Sequence, residues 1–209
     1  MIKKENNFEF KKKLKILQFI KIIVSSDGWS QNITKKLINK NINSEELAYY
    51  FPNGNEDMLK FSLEEINQSL ETNISKINII NLPLNKRIKK ILMKRIEILN
   101  ENNKFFKKTF YYLLLPQNAK ILKKSLYNSV DTMWYLAGDN STDFNFYTKR
   151  ITLAGIYINA IFVLFNNNIV EAEINIDKNL KRISKLPKIK ERFSFLKDSL
   201  PIFLKSIIS

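Results

Sequence analysis

Between Trp134 and Arg150 the chain gathers five aromatic side chains, Trp134, Tyr135, Phe144, Phe146 and Tyr147, around a Gly138-Asp139 turn. The same stretch holds a Ser141-Thr142-Asp143 helix start and the basic pair Lys149-Arg150. The chemistry this offers is contact chemistry. Phe144, Phe146 and Tyr147 cannot all face one core at that spacing, so at least one ring is expected at the surface, where an aromatic serves as an interface anchor. Ser141, Thr142 and Asp143 are each able to cap a helix. Asp139 reads as a turn-former, and Lys149-Arg150 as the holder of a neighbouring carboxylate, Asp131 among the candidates.

Catalytic chemistry has little to work with. The chain has no His and no Cys, which removes the usual triads, thiolate nucleophiles, zinc-thiolate sites and the common general base near neutral pH. No Glu-x-x-His or paired-Asp motif offers a metal site of carboxylates. We therefore expect a non-enzyme without metal or cofactor. The net charge of +15 points to an anionic partner, nucleic acid or lipid. Lys far outnumbers Arg, however, and Asn and Ile abound, so much of that charge reflects AT-rich coding.

At 209 residues the chain can bury a core without disulfides. Helical periodicity dominates, and no period-2 strand stands out. Helices are expected over 10–24, from a Ser30 cap to Lys40, from Ser44 to Phe51-Pro52, and from Asn53-Gly54-Asn55 to Ile77. Further helices are expected from Pro83 with Ile88, Ile91, Leu92, Arg95 and Ile98 along one stripe, then over 105–115, 117–136, 143–165 and 171–185. The run Leu14–Val24 is interrupted by Lys21 and lacks a cleavage site, so it does not read as a signal peptide. Ile151–Val170 is uncharged, but its Asn residues spoil it as a span. It reads as a buried helix, with a transmembrane segment as the minor alternative. Its apolar residues fall nearly all round, the mark of a helix surrounded by protein or ligand. A ligand cavity and an ordinary tight core are equally compatible with that pattern.

The spacing of Gly28-Trp29-Ser30, Ile33, Leu37, Ile42-Asn43-Ser44, Leu47, Tyr49-Tyr50-Phe51-Pro52 and Met58-Leu59 resembles the N-terminal helix-turn-helix of TetR-type regulators. Glu45 and Glu46 stand at the start of the would-be recognition helix, where a phosphate backbone repels them. Lys35, Lys36 and Lys40 offset this only partly. Specific DNA binding is therefore not expected, and the unit reads as a relic of a DNA-binding fold.

Three blocks carry a second resemblance: Leu114 to Ala119, Val130 to Asp139 and Ser141 to Arg150. They are similar to the ubiquinone (coenzyme Q) biosynthesis accessory lipid-binding proteins, a family with a TetR-like fold. The likeness runs from about Leu14 to Phe165. It implies an all-α, TetR-like bundle with a helix-turn-helix-like unit over 9–53, a helical lipid-binding domain over 54–185 and an amphipathic membrane-contacting segment over 186–209. It also implies a non-catalytic role: binding an isoprenoid quinone precursor at the membrane and presenting it to the di-iron demethoxyubiquinone hydroxylase or a related quinone hydroxylase. Carried over by position, Met133, Asp143, Phe146 and Tyr147 form the docking patch. Trp134, Ala154, Tyr157, Ile158, Ile161 and Phe162 belong to the lipid site. Two positions depart from the family: Phe146 stands where Trp is usual, and Thr132 where an acidic residue is common. Phe keeps the apolar anchor and loses the indole N–H, which weakens the patch or suits a different hydroxylase.

The C-terminal stripe Phe193, Leu196, Leu200, Phe203, Leu204 and Ile207, flanked by Lys190, Arg192, Lys197 and Lys205, reads as a basic amphipathic membrane-surface element. Pro201 would kink it, and folding back on the body or a dimer seam are the competing uses. The expected state is a homodimer, cytoplasmic and peripheral on the inner membrane face, or on the matrix side in a eukaryote. The main rival is a TetR-type repressor that senses a hydrophobic ligand.

Overall fold

Apolar residues at helical spacing do form helices throughout the described part of the chain. The structure is a computed structural model that describes residues 7–139 and 144–185. Its elements are α1 (Asn7–Asp27), α2 (Ile33–Ile38), α3 (Ser44–Tyr50), α4 (Asn55–Ser75), α5 (Leu84–Glu101), α6 (Asn103–Leu113), α7 (Ala119–Leu136), α8 (Phe144–Asn166) and α9 (Ile169–Lys185), with a 3-10 turn at Pro116–Asn118 before α7. The fold is all-α, with no strand among the described residues. The TetR-like arrangement is compatible with it. Asp143 and the whole stripe Phe193 to Ile207 lie outside the described residues.

The N-terminal three helices are locked to the body by a few specific side chains. Trp29, in the turn after α1, stacks on Tyr112 with ring centroids 5.8 Å apart and donates from Nε1 to Thr109 Oγ1 at 3.0 Å. Lys21, which breaks the apolar run of α1, is buried and pairs with Glu65 of α4 at 3.3 Å. The polar head of an inward Lys thus finds its partner inside, which offsets the cost of burying its charge.

The start of α2 differs in detail from expectation, while α3 starts at Ser44 as expected. Ser30 does not cap α2. Asn32 holds that position without a side-chain bond, and Ser30 Oγ is buried without a partner among the described residues. Ser30 contributes its carbonyl instead, accepting from Asn55 Nδ2 at 2.7 Å and so tying the turn to the start of α4. At α3 the cap is Asn43, whose Oδ1 accepts from the Glu45 N–H at 2.7 Å. Asn41 before it takes φ +62, the left-handed conformation that Asn tolerates better than most.

The central layer is α5, which packs against α4, α6, α7, α8 and α9. Its buried stripe is Ile88, Ile91, Leu92, Arg95, Ile96, Ile98 and Leu99. Helix α8 runs along α9 and α7. It is not surrounded on all sides, contrary to the sequence reading. Leu153, Ile156, Tyr157, Ala160, Ile161, Leu164 and Phe165 face inward, while Tyr147, Ile151 and Phe162 are exposed on the opposite side. By length and composition Phe146–Asn166 could cross a membrane, yet its inward face is an ordinary core face.

Candidate functional site

Two features of the helical body bring polar and apolar groups together in a way that core packing does not require. The first is a cavity of about 60 Å³ between α4, α5, α6, α7 and α8. Its wall is mostly apolar, with Ile66, Leu99, Phe106, Phe110 and Ile161 among the lining side chains. It is partly open, and the half-buried members of the lining, Leu63, Leu122, Ser125, Leu126 and Ile158, mark its outer side. Helix α7 covers it lightly. Its buried residues are Ser129, Val130, Met133 and Trp134, all in the second half, and nothing from Ala119 to Asn128 is fully buried.

Arg95 reaches this cavity from the buried stripe of α5 at 1% exposure. It donates from Nε to Tyr157 Oη at 2.7 Å, from Nη1 to Asn67 Oδ1 at 2.8 Å and from Nη2 to Ser129 Oγ at 2.6 Å. The guanidinium also lies 5.1 Å from the Tyr157 ring centroid, within cation–π range. All three acceptors are neutral. Among the described residues no carboxylate pairs with it.

The second feature is the corner between α7 and α8. Helix α7 ends in a Schellman turn: Asp139 N–H bonds the Trp134 carbonyl at 3.1 Å, and Gly138 N–H bonds the Tyr135 carbonyl at 2.9 Å. Gly138 takes φ +78 to close it, the conformation that glycine adopts without steric cost. A Cβ there would stand 3.2 Å from Arg87 Nη1, which donates to the Ala137 carbonyl. Gly138→Ala is therefore expected to cost about 1–2 kcal/mol, from the strained backbone and the displaced Arg87, measurable as a lower urea midpoint. No change in midpoint would show that the turn relaxes freely.

Charges brace the corner. Lys149 Nζ contacts Asp139 Oδ1 at 2.5 Å. Arg150 is buried and binds Asp131 Oδ1 through Nε at 2.7 Å and Nη2 at 2.6 Å, with Nη1 3.2 Å from the Phe146 carbonyl. Asp131 and Asp139 are thus the carboxylates that the basic pair holds. Asp139 is an ion-paired turn residue. Around this brace Tyr127, Tyr135, Tyr147 and Ile151 are exposed. Burial comes first among the causes that hold the Tyr127 hydroxyl above its ordinary value, followed by the nearby Asp131 charge.

The residues singled out from the sequence fall at both features. Tyr147 is exposed at the corner, its ring 5.1 Å from that of Phe146. Phe146 is half-buried beneath the Arg150 guanidinium, 3.3 Å from its ring centroid. Met133 requires a correction: it is fully buried in the core, because its phase on α7 points toward the body. At the surface beside it stands Tyr135, which is 76% exposed. Tyr157, Ile158 and Ile161 line the cavity. Trp134, Ala154 and Phe162 do not. Trp134 is buried near the corner with Lys149 5.5 Å from its ring, and its Nε1 has no partner among the described residues. Ala154 is half-buried, and Phe162 packs edge-on against Phe110 with one side exposed. Sequence reasoning passed over Arg95 and Ser129 as site residues. The signal existed for the first: an Arg at an inward position of an apolar stripe.

The helix-turn-helix-like unit shows its carboxylates at work inside the chain. Glu46 pairs with Lys12 at 3.4 Å, and Glu9 accepts from the Tyr49 hydroxyl at 2.9 Å. Both acidic residues of the first turn of α3 sit where the helix dipole favours them.

Comparison with known proteins gives a consistent result. Residues 119–186 match the COQ9 family model, a stretch that takes in α7, α8 and α9 and hence the corner and one side of the cavity. The chain is 30% identical over 173 residues to the probable ubiquinone biosynthesis protein coq9, mitochondrial, of Dictyostelium discoideum, covering 75% of this chain and 54% of that protein. It is 50% identical over 56 residues to the ubiquinone biosynthesis protein COQ9, mitochondrial, of Rattus norvegicus, covering 27% of this chain and 18% of that one. The human COQ9 protein matches at 45% over 56 residues, again 27% of this chain and 18% of its own length. The chain thus spans about half or less of the length of these curated relatives. With the family model falling on the helices that build the corner, and the longest of these matches reaching well beyond them, the chain belongs to the COQ9 family.

Proposed function

We propose that this chain is a non-catalytic, lipid-binding accessory factor of ubiquinone biosynthesis. It takes up an isoprenoid quinone precursor and presents it to the demethoxyubiquinone hydroxylase. The role in ubiquinone biosynthesis follows the named relatives. The observation that carries lipid binding is the apolar cavity under the lightly packed first half of α7. A cavity of about 60 Å³ is less than half of the roughly 150 Å³ that takes up benzene in an engineered apolar cavity. An isoprenoid tail therefore needs Leu122, Leu126 and Ile158 to move outward. Such movement is inexpensive where no side chain is fully buried, and each CH₂ transferred from water returns about 0.8 kcal/mol.

The exposed aromatic corner at Tyr135, Tyr147 and Ile151 is the surface we assign to the hydroxylase. The net charge of +15 favours an anionic leaflet, and the relatives named mitochondrial support a mitochondrial location. The outer face of α8 would be available to a second copy in a homodimer.

The test is native mass spectrometry with lipid identification, followed by uptake of an isoprenoid quinone by the purified full chain. Bound or acquired isoprenoid lipid is expected. Ile158→Trp, which fills the cavity from its half-buried side, is expected to weaken uptake at least about tenfold, some 1.4 kcal/mol, with little change in melting temperature. Absence of any lipid together with no uptake would remove the function.

A further inference from the structure

The cavity contains a cation without a counter-charge. Arg remains protonated at any ordinary pH. Taking its charge out of water is costly unless an opposite charge or a full set of hydrogen bonds compensates. Arg95 is 1% exposed and bonds only the neutral oxygens of Tyr157, Asn67 and Ser129. The other charged side chain buried in the helical body near the corner, Arg150, has Asp131 and Asp139, and the buried Lys21 has Glu65. Among the described residues Arg95 is the exception, and it is the one that lines the cavity.

A guanidinium has five N–H donors. Three bonds are made here, one from each nitrogen, which leaves one N–H on Nη1 and one on Nη2. Two spare donors on one guanidinium suit an anionic oxygen pair or a single oxyanion. The volume agrees: about 60 Å³ has room for a head of a few heavy atoms and none for a long chain. The remaining wall is apolar, and the open side runs past Leu122, Leu126 and Ile158.

We infer that Arg95 anchors the head of an amphiphile bearing an anionic oxygen, with the apolar chain leaving along the α7–α8 side. Carboxylate, phosphate and phenolate heads share this chemistry. The inference rests on the lipid-pocket reading above and narrows it: a phenolate or other anionic head seats at Arg95, and the tail follows along the side that Leu122, Leu126 and Ile158 open. Tyr157 and Ser129 are positioning residues, since they fix the guanidinium plane.

The experiment compares oleate with oleyl alcohol, both delivered from cyclodextrin to the full chain and followed by titration calorimetry. Salt at about 0.5 M screens the basic surface, so that oleate gains nothing from the net charge. Inorganic phosphate serves as the head without a chain. Oleate is expected to bind at least tenfold more tightly than the alcohol, and phosphate far more weakly than oleate. Arg95→Met is expected to erase the preference while retaining alcohol binding, and Arg95→Lys to restore part of it. Equal affinity of the wild-type chain for oleate and alcohol would overturn the inference and leave the lipid pocket standing. Binding of neither would overturn the pocket and the inference together. Phosphate binding as tight as oleate would overturn the amphiphile in favour of a free anion. The wild-type comparison decides even where Arg95→Met fails to fold.

Discussion

Replacing Arg150 by Met is expected to lower the stability of the chain by about 3 kcal/mol, the lower end of the range for breaking a buried ion pair. At roughly 2–4 °C per kcal/mol for a chain of this size, the melting temperature should fall by several degrees. The loss has three parts. Asp139, with only 3% of its side chain exposed, loses its contact with Arg150 and keeps its pair with Lys149. The bonds from Arg150 to Asp131 and to the Phe146 carbonyl vanish. The Phe146 ring loses the guanidinium stacked on it. Asp131→Asn is the control: that carboxylate is 43% exposed, solvent screens it, and a change within about 0.5 kcal/mol is expected. If both variants melt alike, the brace is not held by the buried side of the cluster. Because the same cluster sets the exposed ring of Tyr147, Arg150→Met should also weaken any partner that grips the corner.

Trp29→Ala carries the other large effect, about 3 kcal/mol, the lower end for a deleted Trp because the ring is half-buried. It removes the stack on Tyr112 and the contact with Phe105, and leaves Thr109 Oγ1, on a residue 1% exposed, without its indole donor. Trp29→Phe keeps part of the packing and loses the hydrogen bond, so about half the loss is expected. Urea unfolding followed by circular dichroism should remain a single transition in the wild type, because Trp29 and the Lys21–Glu65 pair weld the N-terminal helices to the body. A separate early transition of those helices in the wild type would show that they fold independently and would reopen the DNA-binding reading.

Most helices were legible because each has one apolar stripe. Leu17, Ile20 and Val24, Ile33 and Leu37, and Leu59, Ile66 and Leu70 are all buried as their spacing demands. What periodicity cannot resolve is a helix whose apolar residues lie on every side. On α8 it does not separate Ile156, which is buried, from Ile151, which is exposed, because the two faces have the same chemistry and only the neighbours differ. Met133 fails for a related reason. A position borrowed from a docking patch says nothing of its phase on α7, and that phase turns it inward while Tyr135 two residues later turns out. The cap at Asn32 rather than Ser30 reflects how many capping residues an Asn-rich chain offers, while α3 does start at Ser44. Arg95 was visible in the stripe of α5, but its lack of a carboxylate partner is a three-dimensional fact, set by α4, α7 and α8 together.

One property of α7 joins the two features. Asn118 fixes its start by donating to the Tyr112 carbonyl, and the glycine-closed turn with the Arg150 cluster fixes its end. The span between resembles a beam clamped at both supports and unloaded along half its length. Such a beam can bow without releasing either clamp. Room for a guest could therefore be made beneath it while the aromatic rim at its far support keeps its shape, so that in the proposed role loading a cargo and keeping a grip on another protein would not compete.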